Sequence, residues 1–380
     1  MNTESKIWLS SPHMGGNEID FIKEALQTNW VAPMGSNIEG FEMDLKNFLG
    51  EKSNHVTCLN SGTSAIHLAL ILAGVVKGDE VICQSMTFSA SANPICYQGA
   101  TPVFIDSEPE TWNMCPIHLE HAIKARIANG VKPKVIIVVH LYGMPAKMDK
   151  IIEIASKFNI LIIEDAAEAL GSIYKNKKCG TLTQFGILSF NGNKMITTSS
   201  GGALLSKNSK DKERAIYLAT QARENEVFYQ HSEIGYNYRM SNVNAGIGRG
   251  QMIVLDKHMA LRRANNLFYQ NLFKDIKGVS VFIEPNKDIV SNHWLTCIIF
   301  SKEVEITPNS LRLSLEKHFI ETRPLWKPLH LQPVFNKYPY YGGSVSENLF
   351  LNGLCLPSGS NLTEKERKRI QLAILDAFKK

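Results

Sequence analysis

No stretch of this chain is both long and apolar enough to cross a membrane. Runs such as Val135–Val139 are the length of a strand, whereas a spanning helix needs about 20 apolar residues. The first residues, MNTESKIWLSS, lack a basic segment followed by an apolar run, so a cytoplasmic location without membrane insertion is expected. Cysteine is sparse: seven residues, an odd number, with no C-x-x-C pair. That pattern argues against a disulfide framework and against a zinc site, so buried free thiols and no metal are expected. Charge of one sign is not concentrated anywhere. Lys and Arg number 41 against 36 Asp and Glu, interspersed, for a formal charge of +5. Such a chain has no basic face for nucleic acid but tolerates an anionic small substrate. No G-x-G-x-x-G follows the first predicted strand, which removes the fingerprint of a nicotinamide-dependent oxidoreductase or epimerase. Repeats and low-complexity linkers are also missing.

What is present is ordinary globular material, 44% hydrophobic and 20% charged, in 380 residues. One hydrophobic core seldom serves so long a chain, so two domains are expected, 1–250 large and 251–380 small. Between residues 55 and 205, short β-rich runs alternate with helical periodicity, which predicts a mainly parallel sheet covered by helices. The seven predicted strands are His55–Leu59, Glu80–Gln84, Pro102–Asp106, Lys134–His140, Ile160–Asp165, Gly186–Phe190 and Gly202–Ser206. The intervening stretches Ser64–Ala73, Ser89–Tyr97 and Met148–Lys157 carry the 3.6-residue apolar period. A long helical pattern from Ser241 to about Phe273 leads to an α+β C-terminal part. Its strands are expected at Val279–Ile283 and His293–Phe300, its helices at Ser310–Phe319 and Thr363–Phe378.

In an open parallel sheet, ligands bind beyond the carboxyl ends of the strands. Four segments fall there. Asn60-Ser61-Gly62-Thr63 opens a helix, and its free N–H groups suit a phosphate, although a plain helix cap would look the same. Asp165 ends an apolar strand before Ala166-Ala167-Glu168, and a buried carboxylate needs a partner, such as a protonated pyridine nitrogen or a structural cation. Lys194 follows Ser189-Phe190-Asn191-Gly192-Asn193 in a turn; a lysine there can condense with an aldehyde, though a single turn lysine is usually just exposed. Phe88, after Thr87, offers a face to a flat ring or packs into the core.

Taken in order, Asn60-Ser61-Gly62-Thr63-Ser64-Ala65, Thr87-Phe88, Glu164-Asp165-Ala166-Ala167, Ser189 through Lys194, Gly201-Gly202 and Asn237-Tyr238-Arg239-Met240 resemble the DegT/StrS family of sugar aminotransferases over essentially the whole chain. The resemblance implies a fold-type I pyridoxal 5′-phosphate enzyme. Lys194 would carry the cofactor and move the proton, and Asp165 would pair with the ring nitrogen. Phe88 would stack on the ring, and Gly62, Thr63 and Ser189 would hold the phosphate. Glu168 would adjoin the cofactor where many members have Gln or His. Asn237 would reach the phosphate of a neighbouring subunit, which implies a homodimer with shared active sites. A histidine in place of the lysine marks a dehydratase branch, so Lys194 implies transamination, with glutamate as donor.

Segments around Leu9–Glu18, Asn29–Pro33, Tyr236–Arg239, Thr322–Lys327 and Leu356–Gly359 further resemble the branch serving bacillosamine biosynthesis, whose substrate is UDP-linked 4-keto-6-deoxy-N-acetylglucosamine. By that resemblance Asn29, Trp30, Val31 and Ala32, with Arg323, Pro324, Leu325 and Trp326, would contact substrate; GDP- or dTDP-linked keto sugars are the alternative. The guanidinium of Arg323 also suits a diphosphate or a donor carboxylate, or else a surface ion pair. A cofactor-bound sensor without turnover is a rival from another class. His13, His140 and His330 lack ligand spacing and are expected to be structural.

Overall fold

The computed structural model describes residues 5–50 and 55–379. All seven expected strands of the large sheet are present: β1 (His55–Leu59), β2 (Glu80–Gln84), β3 (Thr101–Ile105), β4 (Val135–Val139), β5 (Leu161–Asp165), β6 (Phe185–Ser189) and β7 (Gly202–Ser206). Their order is β1-β7-β6-β5-β4-β2-β3, and a two-residue strand, Tyr340–Tyr341, adds to β3 as an eighth. The sheet is therefore eight-stranded rather than seven-stranded, because the last strand comes from the far end of the chain and is too short to show any period. Only β7 runs against its neighbours. The carboxyl ends of all the others, and the start of β7, meet at one edge.

These strands read as continuous apolar runs because both faces are covered. In β4, Ile136 and Val138 pack on one side with Leu119 and Ile123 of helix Pro116–Ala128 and Ile151 of helix Met148–Lys157. Val135 and Ile137 face the other way, towards Ile66 and Leu70 of helix Gly62–Leu72 and Leu218 of helix Ser209–Ala219. Each fully buried aliphatic side chain of this kind contributes about 1.5–3 kcal/mol.

Two elements depart from expectation for local reasons. The stretch 89–97 is split into a 3₁₀ turn, Ser89–Ser91, and helix Asn93–Tyr97, because Pro94 has no N–H to continue the first turn. The strand expected from His293 begins at Thr296, since His293 is turned at φ 49°.

The 32-residue helix Asn242–Phe273, capped by the Ser241 hydroxyl, links the two parts, and the expected boundary after residue 250 lies inside it. Beyond it, Val279–Val281, Thr296–Phe300, Gly353–Leu356 and Arg323–Pro324 form an antiparallel sheet in that order. Helices Pro308–Lys317 and Glu364–Ala377 cover it. Phe282, Trp294 and Leu325 from this region share one buried cluster with Ile82 and Ile136 of the large sheet. All seven cysteines are unpaired, and six are buried. Among the described residues no helix is long and apolar enough to cross a membrane.

Candidate active site

The Ser61 backbone is extended (φ −165°, ψ 160°), which lets its hydroxyl accept the Ser64 N–H at 3.0 Å and cap helix Gly62–Leu72. Asn60 fixes the same turn by accepting from the Ser64 hydroxyl at 2.6 Å. The first N–H groups, at Gly62 and Thr63, have no acceptor within a helix and lie at the cavity wall, a setting for an anion. Glycine is required beside them. A Cβ on Gly202 would sit 2.4 Å from the Gly62 nitrogen, and one on Gly62 would sit 3.2 Å from the Ser189 Cβ.

Asp165, at the end of β5, is 3% exposed. Among the described residues its carboxylate accepts only from neutral donors, the Ser91 hydroxyl at 2.7 Å and the Ala167 N–H at 3.1 Å, and Ser91 is itself in contact with the Thr87 hydroxyl at 2.9 Å. Burial pushes the Asp165 carboxyl above the usual carboxylate range, and these bonds offset that in part. A cation placed against it would hold it ionised.

Lys194 leaves the loop after β6, its N–H bonded to the Asn191 carbonyl at 3.0 Å. Its Nζ stands 4.1 Å from the centre of the Trp294 ring and 3.6 Å from Glu168 Oε1. The other oxygen of Glu168 accepts the Tyr142 N–H at 2.6 Å. Burial raises the Glu168 carboxyl's pKa, and the charge of Lys194 opposes the rise. Lys194, Asp165, Thr63, Phe88, Ser189 and Glu168 all line one cavity of about 280 Å³. Phe88, 61% exposed, stands at its wall.

Of the remaining predicted positions, only Trp326 lines this cavity. Asn237 is exposed and outside this lining, though its carbonyl accepts from Asn60 beside the capped helix at 3.2 Å. Asn29, Trp30, Val31 and Ala32 are exposed and also outside it; Asn242 holds the Trp30 and Ala32 carbonyls at 2.8 and 2.9 Å. Arg323 is ion-paired with Glu321 at 2.7 Å and lines an adjoining cavity, which shares Asn193 and Trp326 with the first. Pro324 is exposed on the small sheet, whereas Leu325 is packed in the core and faces neither cavity.

His13 contacts the Ser360 hydroxyl, His330 contacts Ser85 and Glu347, and His140 lies between the Ala146 N–H and Glu164. His140, Glu164 and Cys179 cluster within ligand reach of one another, but the histidine nitrogens and the Glu164 oxygens are taken by hydrogen bonds.

Sequence patterns gave no notice of Trp294 or Ser91. Both sit in stretches marked only as secondary structure, and neither type is distinctive there.

The residues present fit a flat, anionic, ring-nitrogen cofactor: a partly compensated buried carboxylate, a glycine-lined helix start, and an amine in one cavity. Fold and site define a pyridoxal 5′-phosphate-dependent aminotransferase of fold-type I. The chain belongs to the DegT/DnrJ/EryC1/StrS aminotransferase family, matched over residues 12–375, and is a sugar aminotransferase. It is 49% identical to EpsN of Bacillus subtilis (strain 168), assigned as a pyridoxal phosphate-dependent aminotransferase, over 98% of this chain and 96% of that one. It is 35% identical to the GDP-perosamine synthase of Caulobacter vibrioides over 99% of both. The crystal structure of a DegT DnrJ EryC1 StrS aminotransferase from Brucella abortus superposes with a TM-score of 0.88 at 29% identity, covering 96% of each chain.

Proposed function

We propose that the protein transfers the amino group of glutamate to carbon 4 of a nucleotide-linked 4-keto-6-deoxy sugar, with UDP-4-keto-6-deoxy-N-acetylglucosamine as first candidate. The observation that carries this reading is the presence of the Lys194 amine and the buried Asp165 carboxylate in one cavity, beside an anion-ready helix start. Pyridoxal phosphate, when bound, supplies the aldehyde that takes up amines and the electron-withdrawing ring that stabilises a carbanion.

The chain's own residues then do the following. Gly62, Thr63 and Ser189 would hold the phosphate, and the Asp165 carboxylate would keep the ring nitrogen charged. Phe88 would cover one ring face. The Nζ of Lys194 would hold and move the proton that transamination shifts, while Glu168 provides a neighbouring carboxylate that attracts the Lys194 ammonium. Asn237 reaches the phosphate in the second subunit of a homodimer. Arg323 and Trp326, on the adjoining cavity, take the nucleotide side of the substrate.

The likeness to a GDP-perosamine synthase over the whole chain favours a GDP-linked substrate as second reading. Incubation with glutamate and a panel of UDP-, GDP- and dTDP-linked keto sugars, with products identified by mass and NMR, decides. Amination of the UDP sugar alone supports the first reading, and amination of GDP- or dTDP-linked or 3-keto sugars alone overturns it. Amination of none overturns both.

A further inference from the structure

Arg262, on the helix Asn242–Phe273, is 1% exposed and lies outside the lining of the cofactor cavity. Among the described residues no carboxylate lies within ion-pair distance of its guanidinium. Its acceptors are all neutral: the Trp294 carbonyl at 2.6 Å, the Ser10 hydroxyl at 3.0 Å, and the Lys194 and Ser358 carbonyls at 3.3 Å. Its Nε has no hydrogen-bond partner among the described residues. Burial alone pushes the guanidinium down to about 10. Next to it, His13 and His258 stack at 4.4 Å, and burial lowers the pKa of both, which favours their neutral forms; as imidazoles they offer no counter-charge to the guanidinium.

A buried cation without an anion is a poor stabilising device, because desolvation offsets what its hydrogen bonds return. Well-packed apolar side chains generally serve stability as well. What an apolar side chain cannot do is join four chain segments through one rigid, planar fork.

Two of the four acceptors frame the reactive amine. One is the backbone of Lys194 itself; the other is the backbone of Trp294, whose ring lies under the Lys194 Nζ. The bonds close on themselves. The Trp294 indole N–H donates to the Asn193 carbonyl at 2.7 Å, and the same carbonyl accepts from the Ser10 hydroxyl at 2.8 Å, which Arg262 also contacts. The lysine loop and the tryptophan come from chain segments 100 residues apart, beside strands of different sheets, and the guanidinium is bonded to the backbones of both.

We propose that Arg262 is a positioning residue for transamination: by binding the Lys194 and Trp294 carbonyls together, it fixes the amine above the indole at the place where it must carry protons. This rests on Lys194 being the cofactor-bearing residue. A misplaced proton carrier slows the proton transfer while leaving substrate affinity largely intact.

The test compares Arg262→Met and Arg262→Lys holoenzymes with Tyr269→Phe. That control removes a 2.8 Å bond from the same helix to Pro357, next to Ser358, and leaves Lys194 untouched. For each protein, the visible circular dichroism per bound cofactor, the single-turnover rate with glutamate, the KM for glutamate and the Tm are measured. Arg262→Met is expected to slow the single turnover by about 10- to 100-fold with KM for glutamate within about threefold, and to change the visible dichroism. Arg262→Lys, a point charge that cannot span all four acceptors, is expected to fall between it and the wild type. Tyr269→Phe is expected to lose Tm without the change in dichroism or rate.

An Arg262→Met enzyme matching Tyr269→Phe in both readouts at equal loss of Tm overturns the inference. Should Arg262→Met fail to fold, unchanged dichroism and rate in Arg262→Lys overturn it as well. Borohydride reduction and peptide mapping of the wild type separate the two layers: cofactor mass on a residue other than Lys194 overturns the assignment of that lysine and this inference with it, whereas mass on Lys194 with an inert Arg262 overturns only the latter.

Discussion

At the scale of single residues, the site is an economy of buried charge. Lys194→Ala is expected to abolish the visible absorbance of the lysine-bound cofactor and to cut turnover by at least about 10²–10⁴-fold, the range for a lost proton carrier; a spectrum and a coupled glutamate assay check both. Asp165 makes a separate prediction through pH. Burial raises its folded-state pKa, so between the ordinary carboxylate pKa and that raised value the folded chain binds more protons than the unfolded one. Stability of the cofactor-free protein therefore falls as pH rises through that window. Asp165→Asn has no proton to lose there, so a series of melting curves upward from pH 4 should show a shallower decline than the wild type, and equal slopes would count against a buried, weakly compensated carboxylate. With cofactor supplied, the same variant should lose turnover, because an amide cannot hold the ring nitrogen charged. Lys194 and Asp165 were legible from sequence since each is chemically odd in its place, a carboxylate ending an apolar strand and a lysine among turn residues. Trp294, Ser91 and Arg262 were not legible: a tryptophan near a strand or an arginine in a helix is commonplace until its surroundings are known.

Among elements, the decisive feature is how closely the start of helix Gly62–Leu72 approaches the start of β7. Gly202→Ala would bring a methyl group to 2.4 Å from backbone atoms of Ser61 and Gly62. Backbone cannot yield as a side chain does, so a loss of roughly 1–3 kcal/mol is expected, together with weaker cofactor binding, measured by thermal melting and by titration of the cofactor-free protein. Ser61→Ala removes the helix cap and should cost about 1 kcal/mol, with a smaller effect on cofactor affinity because the N–H groups of Gly62 and Thr63 remain. A Ser61→Ala protein that melts with the wild type would show that the cap is replaced by another acceptor. Sequence periodicity located all seven strands of the large sheet because their both-sided burial is written as unbroken apolar runs. It missed the eighth, Tyr340–Tyr341, since two residues contain no period, and it carried one helix through Pro94, where the missing N–H breaks it.

For the whole molecule, the proposed homodimer with shared sites predicts complementation. Lys194→Ala lacks the amine, and Asn237→Asp presents a repelling carboxylate to a partner's phosphate. Each alone should be inactive or nearly so; mixed and reassembled, half the dimers contain both variants and one of their two sites is intact, so about a quarter of wild-type activity should return under two-fold assembly. Sedimentation of the wild type as a monomer, or mixtures no more active than their components, would exclude it. Asn237 is exposed and apart from the cavity of its own chain, which is where a residue serving a neighbour would stand.

The sequence by itself determined the seven longer strands of the large sheet, the edge at which chemistry gathers, and the family, because these depend on local periodicity and on motifs within a few residues of one another. Only the tertiary structure decided which distant segments touch: Trp294 under Lys194, Ser91 on Asp165, Leu325 turned into the core, and a guanidinium joining residues 10, 194, 294 and 358. Such contacts are set by how elements far apart in the chain pack together in three dimensions, and no spacing along the chain encodes that.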